Sequence, residues 1–205
     1  MAEKRVTKRK LQAEETKKKI FEAAIELIEK KGFDNITIQG INKHAGVSVG
    51  TFYHYYKSKE DVFFELYRKA DEYFQNEVYP LLEKEELSFD RKIILFFSKY
   101  ALYNIENGLE YVSQLYNTNN KFFIAQCRYM IELLEFIISD GQKKGVITTD
   151  MEAGEITDYL FVFGRGIVFD WCLHDGKYDL EKKMSAGFQR LLPVFLIPSD
   201  KNSPL

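Results

Sequence analysis

Apolar residues recur along most of the chain at intervals of three and four. No stretch keeps the two-residue alternation of a strand, so the pattern predicts an all-α protein. The first helix spans about Leu11 to Lys31, with Ile20, Ala23, Ala24, Leu27 and Ile28 as its apolar stripe and Gly32 as the residue that ends it. Thr37 caps a short helix from Ile38 to about Ala45, Gly46 makes a turn, and Ser48 caps a second short helix from Val49 to about Tyr55. Ser58 with Asp61 opens a long helix at Lys59. Its inner side is Val62, Phe63, Leu66, Tyr67, Ala70 and Phe74, and it stops or kinks near Pro80. Further helices are expected over about Ser88–Asn107, Leu109–Tyr116 and Lys121–Ser139, the last stopping near Gly141. A capping box at Thr149 and Glu152 starts a helix reaching about Leu173, and Asp179 caps a final one from Leu180 to about Leu196. The total is about nine helices, with a turn at residues 117–120 and a polar tail after Pro198 that is expected to be disordered.

Two short helices behind a longer one, ahead of an all-helical remainder, divide the chain at residues 1–60 and 61–205. Charge follows the same division. Residues 1–60 hold 13 Lys and Arg against 8 Asp and Glu, a balance of +5, and the remainder carries −7. A basic segment joined to an acidic body suggests that one end meets a polyanion. Eight basic residues against three acidic ones between Met1 and Lys19 make a basic N-terminal arm. No apolar run approaches the roughly 20 residues that span a bilayer, and the start of the chain lacks the apolar centre of a signal peptide, so no membrane association and a cytoplasmic location are expected. Cys127 and Cys172 lack metal-site spacing and are read as buried thiols.

The informative stretch is Thr37 to Lys59. Two short helices joined by a glycine-containing turn form a helix-turn-helix, whose second helix enters the major groove. Ser48 leaves helix N-terminal amides facing outward, where they attract phosphate. Gly50 removes a side chain that would hold the backbone off DNA, and Thr51, Tyr53 and His54 offer polar groups to phosphates or bases. Phe52 and Tyr56, four apart, pack inward.

From Thr16 to Val62 the chain resembles the DNA-binding domain of the TetR family of bacterial regulators. The resemblance rests on Ile20, Ala23-Ala24, Leu27, Gly32-Phe33, Thr37, Ile41, Ala45-Gly46-Val47-Ser48, Gly50-Thr51-Phe52-Tyr53, Tyr55-Tyr56 and Lys57-Ser58-Lys59-Glu60. Two positions depart from the pattern: Gly40 stands where an acidic residue is usual and Asn42 where a small apolar one is. The resemblance implies that Thr37, Gln39, Ser48, Val49, Gly50, Thr51, Tyr53, His54, Tyr55 and Lys59 approach double-stranded DNA. Thr37, Tyr53 and Lys59 would hold phosphates, and Gln39, Val49, Thr51 and His54 would face base edges, Val49 reading only a thymine methyl or shape. Lys8 to Lys10 could add phosphate or minor-groove contacts.

The resemblance also implies a C-terminal domain that dimerises and holds a small molecule. The helix ending at Leu173 is apolar nearly all round in its second half, which suggests burial on more than one side. Gly164, Ile167, Val168 and Trp171, with Met184, Phe188, Leu191 and Leu192 of the last helix, are the expected homodimer interface; the alternative is a core within one chain. A C₂ pair would set two recognition helices about 34–36 Å apart over a palindromic operator. Phe74, Tyr103, Tyr111, Phe123, Cys127 and Phe163 are candidate lining for a pocket taking a hydrophobic or aromatic ligand, although aromatics at helical spacing also serve as plain core. Ligand would then shift the population towards a dimer with wrongly spaced recognition helices, so the function implied is that of a ligand-released repressor. The alternative is a dimeric DNA-binding adaptor or activator whose C-terminal domain binds a protein partner. An enzyme is disfavoured: the three histidines are scattered, and no P-loop, dinucleotide fingerprint or metalloprotease motif is present, so no catalytic residue, cofactor or metal is implied.

Overall fold

The computed structural model describes residues 8–83, 87–116 and 128–198. Among them there is no strand, and α-helix dominates throughout. The chain divides into two compact units, Met1–Lys69 and Ala70–Leu205.

In the first unit, α1 (Lys8–Lys31) buries the expected stripe Ile20, Ala23, Ala24, Leu27 and Ile28 together with Phe21. A 3₁₀ turn at Phe33–Asn35 follows, then α2 (Ile38–Ala45) and α3 (Val49–Tyr55). The turn between them needs a left-handed residue, and Gly46 supplies it with φ 67° while its N–H donates to the Asn42 carbonyl. α4 (Lys59–Tyr73) opens as the sequence suggests: the Asp61 N–H donates to Ser58 Oγ at 3.3 Å, and the Asp61 carboxylate accepts from the Lys57 N–H at 2.8 Å. Its first half packs on α1. Lys17 Nζ pairs with the Glu65 carboxylate at 2.9 Å, and Lys69 Nζ lies 3.9 Å from the centre of the Phe21 ring. This packing puts the division between the units inside α4, whereas the sequence alone places it at the start of that helix.

Pro80 does not stop the chain. A π turn at Phe74–Val78 carries α4 into α5 (Tyr79–Leu82), with the Tyr79 N–H donating to the Phe74 carbonyl. Proline in an α-helix strikes the carbonyl four residues back, here that of Asn76, and a wider local turn is the usual way to pass it. The remaining rods are α6 (Phe89–Asn107), α7 (Leu109–Leu115), α8 (Tyr129–Lys143), α9 (Ala153–Leu173) and α10 (Leu180–Leu191). Counting α4 and α5 as one, nine rods are described. The expected turn at residues 117–120, the first part of the helix expected from Lys121, and the tail from residue 199 lie outside the described residues.

Two boundaries differ from expectation for a packing reason. α8 runs past Gly141 to Lys143, because that glycine serves close approach: a Cβ there would lie 2.5 Å from Ile147 Cδ1 and 3.1 Å from Phe89 Cδ1. The helix is ended instead by Gly145, at φ 70°. α9 starts at Ala153 with Glu152 in the cap position, and the Thr149–Glu152 box does not form; Thr148 bonds Asp150 in the preceding loop. Asp179 caps α10 as expected, accepting from the Lys182 N–H at 2.9 Å. Beyond a 3₁₀ turn at Leu192–Val194 the chain pairs with the loop after α8, through the Thr148 N–H to the Phe195 carbonyl at 2.8 Å and the Ile197 N–H to the Val146 carbonyl at 3.0 Å. The core of this unit is aromatic. Phe97 and Phe188 stack at 3.9 Å between centroids, bordered by Phe96, Phe161 and Tyr100.

Candidate nucleic-acid interface

Each short helix of the helix-turn-helix is started by a side-chain cap. Thr37 Oγ1 accepts from the Gly40 N–H at 3.1 Å, and Ser48 Oγ accepts from the Thr51 N–H at 3.1 Å. Ser48 and Thr51 also share a hydroxyl–hydroxyl bond of 2.8 Å, so the Thr51 side chain is turned onto the cap and is only half exposed. Inside, Phe52 and Tyr56 are buried with ring centroids 5.8 Å apart, as their spacing predicts, and burial holds the Tyr56 phenol far above its ordinary range. With those two rings fixing the rotation of α3, Ser48, Val49, Gly50, Tyr53 and His54 face outward. Tyr55 is half-buried, its ring 4.9 Å from that of His54. Thr37, Gln39, Lys43 and His44 form the exposed side of α2.

The structure thus brings Thr37, Gln39, Ser48, Val49, Gly50, Tyr53 and His54 onto exposed positions of one small motif. Lys59, expected at a phosphate, instead faces the chain. Its ammonium donates to the Phe33 carbonyl at 3.0 Å and the Ile36 carbonyl at 3.4 Å, and lies 4.6 Å from the centre of the Phe33 ring. Those carbonyls end the 3₁₀ turn ahead of α2, so Lys59 holds the N-terminal side of the motif. Lys43 and Lys57 are the exposed cations nearby in sequence. His44 is bonded to the Glu26 carboxylate at 2.7 Å, which ties α2 to α1, and that bond holds the Glu26 carboxyl below its ordinary range.

Asn42, the second departure noted in the sequence, is 4% exposed, and neither atom of its amide meets a hydrogen-bond partner among the described residues. Desolvating an amide without compensation costs about 1–3 kcal/mol. Asn42→Leu, close in volume, is therefore expected to raise the unfolding free energy of this unit by about 1–3 kcal/mol in urea titrations. A drop in stability would show that the amide is satisfied in solution.

In the second unit, Phe74 lies in the π turn, its ring 4.6 Å from that of Phe96. Tyr103 packs against Tyr73 at 5.1 Å, and burial pushes its phenol up to about 12. Tyr111 is half-buried against the core, and Phe163 packs on the seam between α9 and α10, 5.1 Å from Phe188. Phe123 and Cys127 lie outside the described residues. The expected interface moves by one face. Val168, Met184, Phe188 and Leu192 are buried in the chain's own core with Trp171, and Gly164 packs on Phe97, where a Cβ would lie 2.9 Å from Cε1. Ile167 and Leu191 are half-buried beside them, Ile167 at the α9–α10 seam. The apolar residues left outside on α9 are Tyr159 (55% exposed), Val162 (61%), Phe169 (46%) and Leu173 (66%). With Gly166, above which there is open space, they repeat at intervals of three, four, three and four along one stripe. Sequence reasoning also passed over Arg128 and Asp71, a buried ion pair; a lone arginine inside an apolar run was its only sequence signal.

These features define a helix-turn-helix DNA-binding regulator. Residues 20–66 match the family model described as bacterial regulatory proteins, tetR family, and residues 108–193 match that of the YsiA-like protein, C-terminal region. The chain belongs to the TetR family. It is similar to the fatty acid metabolism regulator protein of Bacillus subtilis, 28% identical over 167 residues that cover 78% of this chain and 86% of the relative. Among solved structures, the fatty acid degradation regulator of Bacillus halodurans superposes with a TM-score of 0.69 at 21% identity, covering 85% of this chain and 97% of that one. The fatty acid regulator of Bacillus subtilis in complex with stearoyl-CoA superposes with a TM-score of 0.61 at 22% identity, covering 85% and 96%. The helical architecture of both units is common to these proteins. Among the described residues, no helix is long and apolar enough to cross a membrane.

Proposed function

We propose that the chain is a cytoplasmic transcriptional repressor that holds a palindromic operator as a homodimer and leaves it when a small hydrophobic ligand binds the second unit. The observation that carries the DNA-binding part is the outward face of α3, where Val49, Gly50, Tyr53 and His54 stand exposed on a helix whose rotation is fixed by buried Phe52 and Tyr56. Gln39 and His54 are the candidates for base edges, and Thr37, Tyr53 and the amides at the start of α3 for phosphates. The homodimer is assigned to the outer stripe of α9, since a contiguous apolar stripe on an otherwise polar surface calls for a partner. The ligand class is assigned by likeness: the Bacillus subtilis relative is a fatty acid metabolism regulator, and its structural counterpart holds stearoyl-CoA. A fatty-acyl compound is therefore the first ligand to try.

The test is a gel shift on DNA flanking the chain's own gene, repeated across a salt series. A specific complex is expected, weakening steeply with salt as phosphate contacts release counterions. Tyr53→Ala is expected to weaken it by about 10- to 100-fold, the loss of one good charged or polar contact. If selection of bound fragments from the whole genome also returns no specific site, the DNA-binding reading falls.

A further inference from the structure

The interior of the second unit holds one arginine that the regulator reading has not used. Arg128 stands at the N-cap of α8 and is 8% exposed. Its guanidinium faces the Asp71 carboxylate, with Nη2 3.6 Å from Oδ1. The same Oδ1 accepts the Met130 N–H at 3.2 Å, so Asp71 also sits on the first turn of α8, where a helix attracts negative charge. One carboxylate of the chain thus occupies a place that a buried guanidinium and a helix N-terminus make favourable for an oxyanion. The fit is loose: an arginine–carboxylate pair in good register closes to about 2.7–2.9 Å, often through two parallel bonds.

The surroundings of this pair are aromatic. Asp71 is followed on the same helix by Tyr73 and Phe74, Tyr73 packs on Tyr103, and Phe74 packs on Phe96. Tyr100, fully buried, shares a hydroxyl–hydroxyl bond with Tyr116, and the Asn104 amide bonds the Tyr100 carbonyl. Burial holds both Tyr100 and Tyr103 phenols up, while the charge of Arg128 acts on each in the opposite direction. The phenols therefore stay neutral within the field of a buried cation, the combination that suits a molecule with one anionic end and an apolar body.

From this geometry we infer that the second unit recognises an amphiphilic anion, an apolar chain ending in a carboxylate or phosphate, with Arg128 taking the oxyanion and Asp71 the internal carboxylate it displaces. The inference deepens the ligand-responsive reading and rests on it. Asp71 is carried by α4, which begins in the DNA-binding unit at Lys59, so a ligand that takes Arg128 removes a bond that α4 makes to α8.

The experiment titrates the full-length chain with three probes of one chain length: dodecanoate, dodecanoyl-CoA and dodecan-1-ol. Binding is followed by calorimetry, with operator binding measured in parallel by gel shift. Dodecanoate or dodecanoyl-CoA is expected to bind about tenfold or more tightly than the neutral alcohol, the worth of a hydrogen bond to a charged group. Preference for dodecanoate assigns the carboxylate as the natural oxyanion, and preference for dodecanoyl-CoA assigns the phosphate. In Arg128→Gln the preference disappears while the alcohol binds as before. Asp71→Asn keeps an acceptor for the Met130 amide but removes the competing charge, so anion affinity rises. A purely structural ion pair predicts the opposite, a less stable chain with no gain for the anion, and that result overturns the inference, as does an equal preference in the wild type and Arg128→Gln. If all three probes bind alike, the inference fails and the ligand-responsive reading stands. If none binds while the operator still does, both fail together.

Discussion

A chain carrying Val162→Asp with Phe169→Asp is expected to sediment as a monomer and to lose operator affinity by about a thousandfold or more, most of the gap between specific and non-specific binding. The two residues lie on the outer stripe of α9 with Tyr159, Gly166 and Leu173, in the three-four spacing that lets two helices mesh at a shallow angle. Gly166 at the middle of the stripe has nothing within 4 Å of where its Cβ would be, leaving room for the backbone of a partner helix. An aspartate in such a seam must be buried without a countercharge, once from each protomer, and that cost opposes association directly. Since both side chains are well exposed within one chain, folding is expected to survive, with an unchanged helical circular dichroism spectrum. Operator binding then falls because one protomer reaches only one half-site, and the second half-site no longer benefits from being tethered. A dimer that persists in sedimentation velocity would move the interface away from this face of α9.

The sequence made the helix-turn-helix legible nearly to the residue, and the reason is local. Thr37, Ser48 and Ser58 are caps, Gly46 is a left-handed turn, and Phe52 with Tyr56 share a face; each acts within four or five residues of itself. What was not legible depends on contacts between distant segments. α9 is apolar on every side, so its sequence carries no polar face to say which stripe looks inward. Only the approach of α6, where Phe97 fills the space above Gly164, turns Val168 and Trp171 to the core and leaves Val162 and Phe169 outside. Gly141 reads the same way as a helix stop or as a close contact, and Ile147 decides between them. Lys59 matches a phosphate-holding position in the family pattern, yet two carbonyls of the turn before α2 take its ammonium here. Arg128 and Asp71, far apart in the chain, had no local signature that would pair them.

Phe97→Ala is expected to cost about 3–5 kcal/mol of unfolding free energy, among the largest losses available to one side chain. Phe97 is fully buried, stacked on Phe188 at 3.9 Å with only 12° between the rings, and edged by Phe96, Phe161 and Tyr100. Its removal withdraws an aromatic ring from the place where α6, α9 and α10 meet, and rigid neighbouring rings close such a gap poorly. Against a typical total of about 5–15 kcal/mol the loss is severe, and at about 2–4 °C per kcal/mol for a chain of this size the melting temperature falls by about 6–20 °C. The same ring explains why position 164 is glycine: a Cβ there would stand 2.9 and 3.0 Å from two of its carbons. Gly164→Ala alone is therefore expected to destabilise, since the clash outweighs the roughly 1 kcal/mol that alanine gains over glycine within a helix. In the Phe97→Ala background the clash is gone, and the same substitution becomes neutral or stabilising. A double-mutant cycle by urea unfolding reads this directly: the coupling is expected to exceed about 1 kcal/mol, and additive effects would mean that Phe97 and Gly164 do not meet.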